Sequence, residues 1–494
     1  MSTTIEHLLP ELEARRGLRH GHFIAGIWRA PAETFERHNP ADVREIVGHF
    51  ARGGADDVAA AVAAAKQAFP AWRDTPQAQR GQILMRASQL LAARAEELAQ
   101  AMTWEEGKAL AEARQELQRA VAYLEFVAGE GRRFGGEVYP ADGPGVNYVV
   151  RKPRGVVGLI APWNFPVNTP VIKSAPALLT GNTVVFKPSE HSPLTAALLA
   201  EVYAAAGVPA GVFNVVFGDG AAGRALVAHP DVRAISFTGS TAVGRAINQV
   251  ASERFARVQL EMGGKNASIV LADADLERAA ADVAIGGFSV SGERCNANSL
   301  VLVAASVFED FAAKLVAKAS ALRVGNGLED GAQVGPLVTE SALARVSGYV
   351  ERARADGAAV LCGGRVLDEG ALQHGHFYAP TVLTGLGPAH PVCREEIFGP
   401  VVTLVPVADL ESAIAVANAL PYGLASSLYT RDLASAMQYV KRLETGLVHV
   451  NCATTVSELQ MPYGGMKDSG HGGREMGRYV LDFYTEPQAV YLRY

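Results

Sequence analysis

The chain has 494 residues, with 45 Lys and Arg against 51 Asp and Glu, a formal net charge of -6, and 49% hydrophobic residues. That profile describes an ordinary globular protein too long for one hydrophobic core, so two or more large lobes are expected. With no Lys/Arg tract and no apolar run able to span a bilayer, nucleic acid and membrane are poor partners, and a small diffusible molecule in the cytoplasm is the expectation.

The opening "MSTTIEHLLPELEARRG" is amphipathic and charged and lacks the apolar centre of a secretory signal. From about 55 to 129 the text is rich in Ala, Leu, Glu and Arg with helical periodicity, which predicts surface helices. Between 131 and 153, Gly, Pro and β-formers alternate, predicting a strand pair or an arm leaving the body. Short apolar runs then follow ("GVVGLIAP", "NTVVFKP", "GVFNVVF", "RAISFTG", "RVQLEMGG"), separated by helical segments such as "PLTAALLAEVYAAAG". Strand and helix in alternation give a parallel sheet covered on both faces, a doubly wound nucleotide-binding architecture. A second alternation begins after 265 and continues past 440, predicting a second α/β lobe, and the chain ends in a strand, "PQAVYLRY".

Four cysteines, at 295, 362, 393 and 452, form no C-x-x-C pair, and no His/Cys/Asp cluster has ligand spacing, so neither a disulfide framework nor a metal is expected. Two stretches could receive a dinucleotide. "GDGAAG" matches G-x-G-x-x-G with Gly218, Gly220 and Gly223; "FTGSTAVG" closes a strand at Phe237 and opens a helix at Gly239, Ser240 and Thr241. The first is the more regular fingerprint, either can be a plain turn, and composition does not choose between them.

Three residues invite chemistry. Cys295 in "SVSGERCNAN" is a nucleophile or a small buried hydrophobe. Glu261, after an apolar strand in "LEMGGK", is a general base with a raised pKa or a solvated strand-end charge. Asn164, between the prolines of "APWNFP", is an oxyanion donor or a turn residue.

Taken together and in order, "APWNFP", "KPSE", "FTGSTAVG", "LEMGGKN", "GERC", "EEIFGPV", "PYGLASSLYT" and "PYGGMKDSG" resemble the aldehyde dehydrogenase superfamily over nearly the whole chain. The resemblance implies an aldehyde dehydrogenase fold: an NAD-binding domain over 1–130 and 154–263, a catalytic domain over 264–463, and an oligomerisation arm of 131–153 and 478–494, in a homodimer or homotetramer. It assigns Cys295 as nucleophile, Glu261 as the base that activates water, and Asn164 as oxyanion donor beside the Cys295 N–H. Lys187 and Glu190 would hold the adenosine ribose, Glu396 the nicotinamide ribose, and Phe398 would flank the nicotinamide. Trp163, Gly244 and Met262 would also contact the cofactor, and the pyrophosphate would sit at Gly239 and Ser240 rather than at the glycine triplet. The implied reaction oxidises an aldehyde to the acid through a thiohemiacetal and a thioester. NAD is the expected cofactor because the Glu190 charge opposes a 2′-phosphate, with NADP left open.

The chain departs from the pattern in places. Glu293 replaces the usual Gln, and "GERC" resembles the acylating methylmalonate-semialdehyde dehydrogenases that use coenzyme A; the presence of Glu261 argues for hydrolysis instead. A charge at Glu293 would oppose thiolate formation unless Arg294 offsets it. Where succinate-semialdehyde dehydrogenases carry an arginine, this chain has Ile172, and "SGHGGREMG" has a slight likeness to 2-oxoglutarate-semialdehyde dehydrogenases. A cysteine thioester hydrolase or amidase, and a catalytically silent scaffold of the same fold, are the competing classes.

Overall fold

The apolar runs between 154 and 263 form the centre of an eight-stranded sheet in the computed structural model, which describes residues 8–494. Residues 1–7, the first part of the amphipathic N-terminal stretch, lie outside the described residues. Strands Val156–Ile160, Thr183–Lys187, Phe213–Val215, Val232–Thr238 and Arg257–Glu261 all run parallel. Their side chains are buried on both faces, which is why they read as continuous apolar runs rather than alternating ones. On one face pack helices Asn168–Leu179 and Pro193–Ala205, backed by Gln77–Ala93 and Leu110–Glu130. On the other lie Ala55–Asp74, Gly220–Ala228 and Thr241–Ser252.

The edges of this sheet are antiparallel: His22–Ile24 and Ile27–Arg29 on one side, Gly470–Gly472 on the other. A separate three-stranded sheet is built from Arg19–His20, Thr34–Asn39 and Asp42–Ala51. The expectation of surface helices between 55 and 129 needs correcting at Ala95–Glu106, which is buried without a break from Leu98 to Glu106. It is enclosed by helices Leu110–Glu130 and Pro193–Ala205, and its Ala and Glu content disguised that. Glu105 is tolerated inside because its carboxylate accepts the N–H groups of Leu194 and Thr195 at the start of the latter helix, at 2.7 and 2.8 Å.

The second alternation forms a seven-stranded sheet in which Thr381–Thr384, Val401–Val407, Asn298–Ala304, Asn266–Val270, Ala425–Tyr429 and Leu447–Val450 are parallel, with Ala359–Cys362 antiparallel at one edge. Gly145–Pro153 and Thr485–Arg493 pair antiparallel along their whole length, with Val138–Tyr139 on the far side of Gly145–Pro153. Just before that last long strand, Val480 and Leu481 are buried in the first core. Among the described residues no helix is long and apolar enough to cross a membrane. The parallel strands of the first sheet end at Ile160, Lys187, Thr238 and Glu261, and Thr238 and Glu261 line one cavity with Cys295, which precedes strand Asn298–Ala304 of the second sheet.

Candidate active site

Cys295 lies in the turn between the tight helical turn Ser289–Gly292 and strand Asn298–Ala304. Three consecutive residues before it are left-handed, Val290 at φ +50°, Ser291 at +53° and Gly292 at +70°. Glycine is required at the last because a β-carbon there would run into the carbonyl of Gly399. The turn is held by the Val290 N–H donating to the Glu112 carboxylate (2.8 Å) and the Ser291 hydroxyl donating to the Gly335 carbonyl (2.8 Å). On its far side, Asn266 Nδ2 donates to the carbonyls of Cys295 and Ala297 (2.8 and 2.9 Å).

Asn164 is buried, and its Nδ2 donates to the Glu293 carbonyl at 2.8 Å, two residues before the cysteine. The asparagine is itself fixed: the fully buried Lys108 ammonium donates to its backbone carbonyl (2.6 Å) and to Glu116 (2.5 Å). Glu116 in turn accepts the N–H groups of Val167 and Asn168, both at 2.9 Å. A buried ammonium with a paired carboxylate thus anchors the loop that carries the amide.

The sulfur of Cys295 is 3.2 Å from the Tyr463 hydroxyl. Burial pushes the thiol up to about 11; Tyr463 and Arg294 pull it down, while Glu396 and Glu261 push it up. The expected influence of Glu293 is not found. Its carboxyl is buried, points toward the Val338 N–H, and is raised well above the usual carboxylate range by desolvation, with Arg345 and Arg37 opposing. Its carboxyl is turned to the Val338 N–H, and the carboxyls that raise the Cys295 thiol are Glu396 and Glu261 instead.

Glu261 ends strand Arg257–Glu261 and lines, together with Cys295, a cavity of about 120 Å³. Its carboxyl is buried, and burial and the neighbouring Glu475 raise it well above the usual range, against Lys173, Arg474 and the Gly465 N–H. One of its oxygens has no hydrogen-bond partner among the described residues. Lys173 is fully buried, bonds Glu475, and donates to the Ser236 hydroxyl at 3.0 Å. Neither Lys173 nor Glu475 was singled out from sequence. The available signal was a lone lysine inside the apolar helix "NTPVIKSAPALL".

This cluster makes a signed prediction. In the base role expected for Glu261 the carboxyl must be ionised to work, so a raised pKa would place the ascending limb of turnover at higher pH. Glu475→Gln removes a negative charge and frees Lys173 to face Glu261, both of which lower the Glu261 pKa. The expected result is a kcat profile whose ascending limb moves to lower pH, measured at saturating substrate; a limb that stays or moves up would refute the coupling.

Most of the expected cofactor residues belong to the first sheet and its helices, while Glu396 and Phe398 come from the segment before strand Val401–Val407 of the second. Ser240 caps helix Thr241–Ser252 by accepting the Val243 N–H (3.4 Å), and the Gly239 N–H donates to the Glu261 carbonyl (3.0 Å). A β-carbon at Gly239 would meet the Phe237 ring, and one at Gly244 the Met262 sulfur, so both glycines are packed close. At the competing triplet, Asp219 accepts the Ala221 N–H at 2.8 Å and so caps helix Gly220–Ala228 with its own carboxylate. Lys187 Nζ lies 3.1 Å from Glu190, at the end of strand Thr183–Lys187. The Trp163 and Phe398 rings meet edge to face at 5.9 Å. Glu396 accepts the Gly264 N–H at 3.0 Å, and burial pushes its carboxyl up to about 7 against that N–H, Lys265 and Arg345.

A larger opening of about 730 Å³ adjoins the inner cavity and shares Arg119, Phe165, Asn168, Arg294 and Thr455 with it. Arg119, missed from sequence, is held by the Ser457 carbonyl and hydroxyl at 2.7 and 2.8 Å. Arg294 lies over the Phe165 ring, 5.2 Å from its centroid. The sequence profile of the Aldehyde dehydrogenase family matches residues 28–490. Over 476 residues the chain is 40% identical to the alpha-ketoglutaric semialdehyde dehydrogenase of Bacillus subtilis, covering 96% of this chain and 98% of that one. It is 39% identical to the NADP(+) succinate-semialdehyde dehydrogenase of Escherichia coli, covering 92% of this chain and 93% of that one. Among solved structures, an NAD+ complex of aldehyde dehydrogenase from Bacillus cereus superimposes with a TM-score of 0.95 at 35% identity, covering 99% of both chains.

Proposed function

The chain belongs to the aldehyde dehydrogenase family, and from that premise we propose that it oxidises a carboxylate-bearing semialdehyde, with Cys295 as nucleophile and Glu261 as hydrolytic base. It is an NAD(P)-dependent aldehyde oxidoreductase. The observation that carries the residue assignment is that a thiol and a buried carboxyl line one small cavity.

The residues present fit a dinucleotide. Gly239 and Ser240 open a helix whose N–H groups favour a pyrophosphate, Lys187 and Glu190 stand ready for a ribose, and Trp163, Met262, Gly244, Glu396 and Phe398 surround the remainder. Glu190 favours a free ribose diol over a 2′-phosphate, which supports NAD. When bound, NAD supplies the acceptor for the hydride released from the substrate carbon.

The Cys295 thiolate attacks the aldehyde carbon, and the resulting oxyanion is stabilised by the Asn164 amide and the Cys295 N–H. Loss of hydride from that carbon leaves a thioester on the sulfur. Glu261 takes a proton from water, the hydroxide adds to the thioester carbonyl, and the thiolate leaves as the acid is released. Glu261 beside Cys295 supports water rather than coenzyme A as the acceptor. We assign 1–130 and 154–263 to cofactor binding, 264–463 to the nucleophile, and 131–153 with 478–494 to assembly as a dimer or a pair of dimers. Exposed Val138, Tyr491 and Leu492 on the arm support that assembly.

Arg119 and Arg294 support a substrate with a carboxylate distal to the aldehyde. NADH formation from short semialdehydes, their neutral analogues of equal length, and either with coenzyme A tests the whole reading; preference for neutral aldehydes, or acceleration by coenzyme A, overturns it. Arg119→Met is expected to raise KM for the carboxylate substrate by about ten- to a hundredfold, the scale of one charge-assisted hydrogen bond. KM for the neutral analogue should stay unchanged.

A further inference from the structure

We propose that Tyr463 is a catalytic residue of this site: its hydroxyl, 3.2 Å from the Cys295 sulfur, donates the hydrogen bond that holds and stabilises the attacking thiolate. The proposal rests on Cys295 being the nucleophile.

While the sulfur carries its proton, either atom can donate. Once the thiol proton has left for solvent, only the hydroxyl can, and a donor facing an anion makes the stronger bond. The thiolate needs such a partner. Two carboxyls face the sulfur, Glu261 from the end of strand Arg257–Glu261 and Glu396 from the segment after Pro391–Arg394. The facing cation, Arg294, lies over the Phe165 ring and donates to the Ser289 hydroxyl at 3.2 Å, and the hydrogen bond at the sulfur is made by Tyr463 rather than by it. Asn266 serves the Cys295 carbonyl and Asn164 that of Glu293, so neither amide is spent on the sulfur.

Tyr463 is suited to supply the missing donor. Its backbone is paired in both directions with Glu475, at 2.7 and 2.8 Å, which fixes the ring against the element that also carries the partner of Lys173. Burial first, then the neighbouring Cys295, holds its own hydroxyl well above the ordinary tyrosine range, with Glu261 adding to this and Arg294 opposing. It therefore keeps its proton throughout the working range and remains a donor. A phenylalanine would fill the same volume and leave the sulfur without this bond.

The test is Tyr463→Phe, read by the pH dependence of iodoacetamide alkylation at Cys295, located by peptide mass. The expected result is an apparent thiol pKa about one unit higher and alkylation about tenfold slower below it, with NAD affinity retained. A profile that does not move in a variant that still binds NAD overturns the proposal. Site-specific 3-fluorotyrosine at 463, a stronger donor of nearly equal size, should move the profile the other way; if the phenylalanine variant does not bind NAD, a fluorotyrosine profile that stays or rises overturns it instead. Cys295→Ala separates the two levels. Retained turnover there would defeat the assignment of the nucleophile, whereas an inactive alanine variant alongside an alkylation profile indifferent to residue 463 would defeat only the role of Tyr463.

Discussion

Replacing Cys295 with alanine is expected to end NADH formation from every aldehyde tried, with a loss on the order of 10⁶ in kcat, the scale of removing a covalent nucleophile. The change deletes one sulfur atom and its contact with Tyr463. The surrounding turn is held by backbone and side-chain bonds that do not involve the sulfur, so the fold and the cofactor site should survive. NAD titration by fluorescence should give an unchanged Kd, which distinguishes lost chemistry from lost structure. Cys362, Cys393 and Cys452 provide no substitute, because none of them lines the cavity that Glu261 shares. Measurable steady turnover by the alanine variant would mean that the sulfur at 295 is a bystander.

Glu261→Gln should give a different defect, visible only in time-resolved data. In the proposed mechanism, attack and hydride loss do not need this carboxylate, whereas deacylation does. One NADH per site should appear in a rapid burst, followed by a steady rate lower by about 10² to 10⁴, the usual worth of a general base. Intact-mass analysis of the stalled protein should find the acyl group on Cys295. Hydroxylamine, which cleaves thioesters without a base, should restore continuous NADH formation. Loss of the burst together with the steady rate would show that Glu261 acts before the thioester, and a steady rate like that of the parent would remove it from the mechanism.

Much of this site could be read directly from the sequence because its main parts sit where strands stop. Glu261, Thr238, Lys187 and Ile160 each end a run of buried residues, and such runs are legible one strand at a time. What could not be read depends on contacts across hundreds of residues. Lys173 and Glu475 are 302 positions apart, and Arg119 meets Ser457 across 338. No local pattern joins them. The direction of the Glu293 side chain was equally hidden, since its neighbour Arg294 faces the cavity while it faces Val338, and adjacency in sequence fixes neither. The antiparallel edges at His22–Ile24 and Gly470–Gly472 were missed because two- or three-residue strands carry too little periodicity. Between the two glycine motifs, regularity favours the triplet, whereas the turn at Gly239 and Ser240 is the one we propose for the pyrophosphate. At the triplet, Asp219 beside Gly220 sets its own carboxylate on the Ala221 N–H, which argues against a phosphate there.

The left-handed turn ahead of the nucleophile has a mechanical consequence. Val290 and Ser291 occupy a region that a β-branched or ordinary side chain enters only at about 1 to 3 kcal/mol each. Two bonds hold them there: Glu112, on helix Leu110–Glu130, accepts the Val290 N–H, and the Gly335 carbonyl accepts the Ser291 hydroxyl. The turn is thus an interlock whose shape depends on partners 178 and 44 positions away in the chain. The placement of Cys295 is in this way tied to the seating of those two segments.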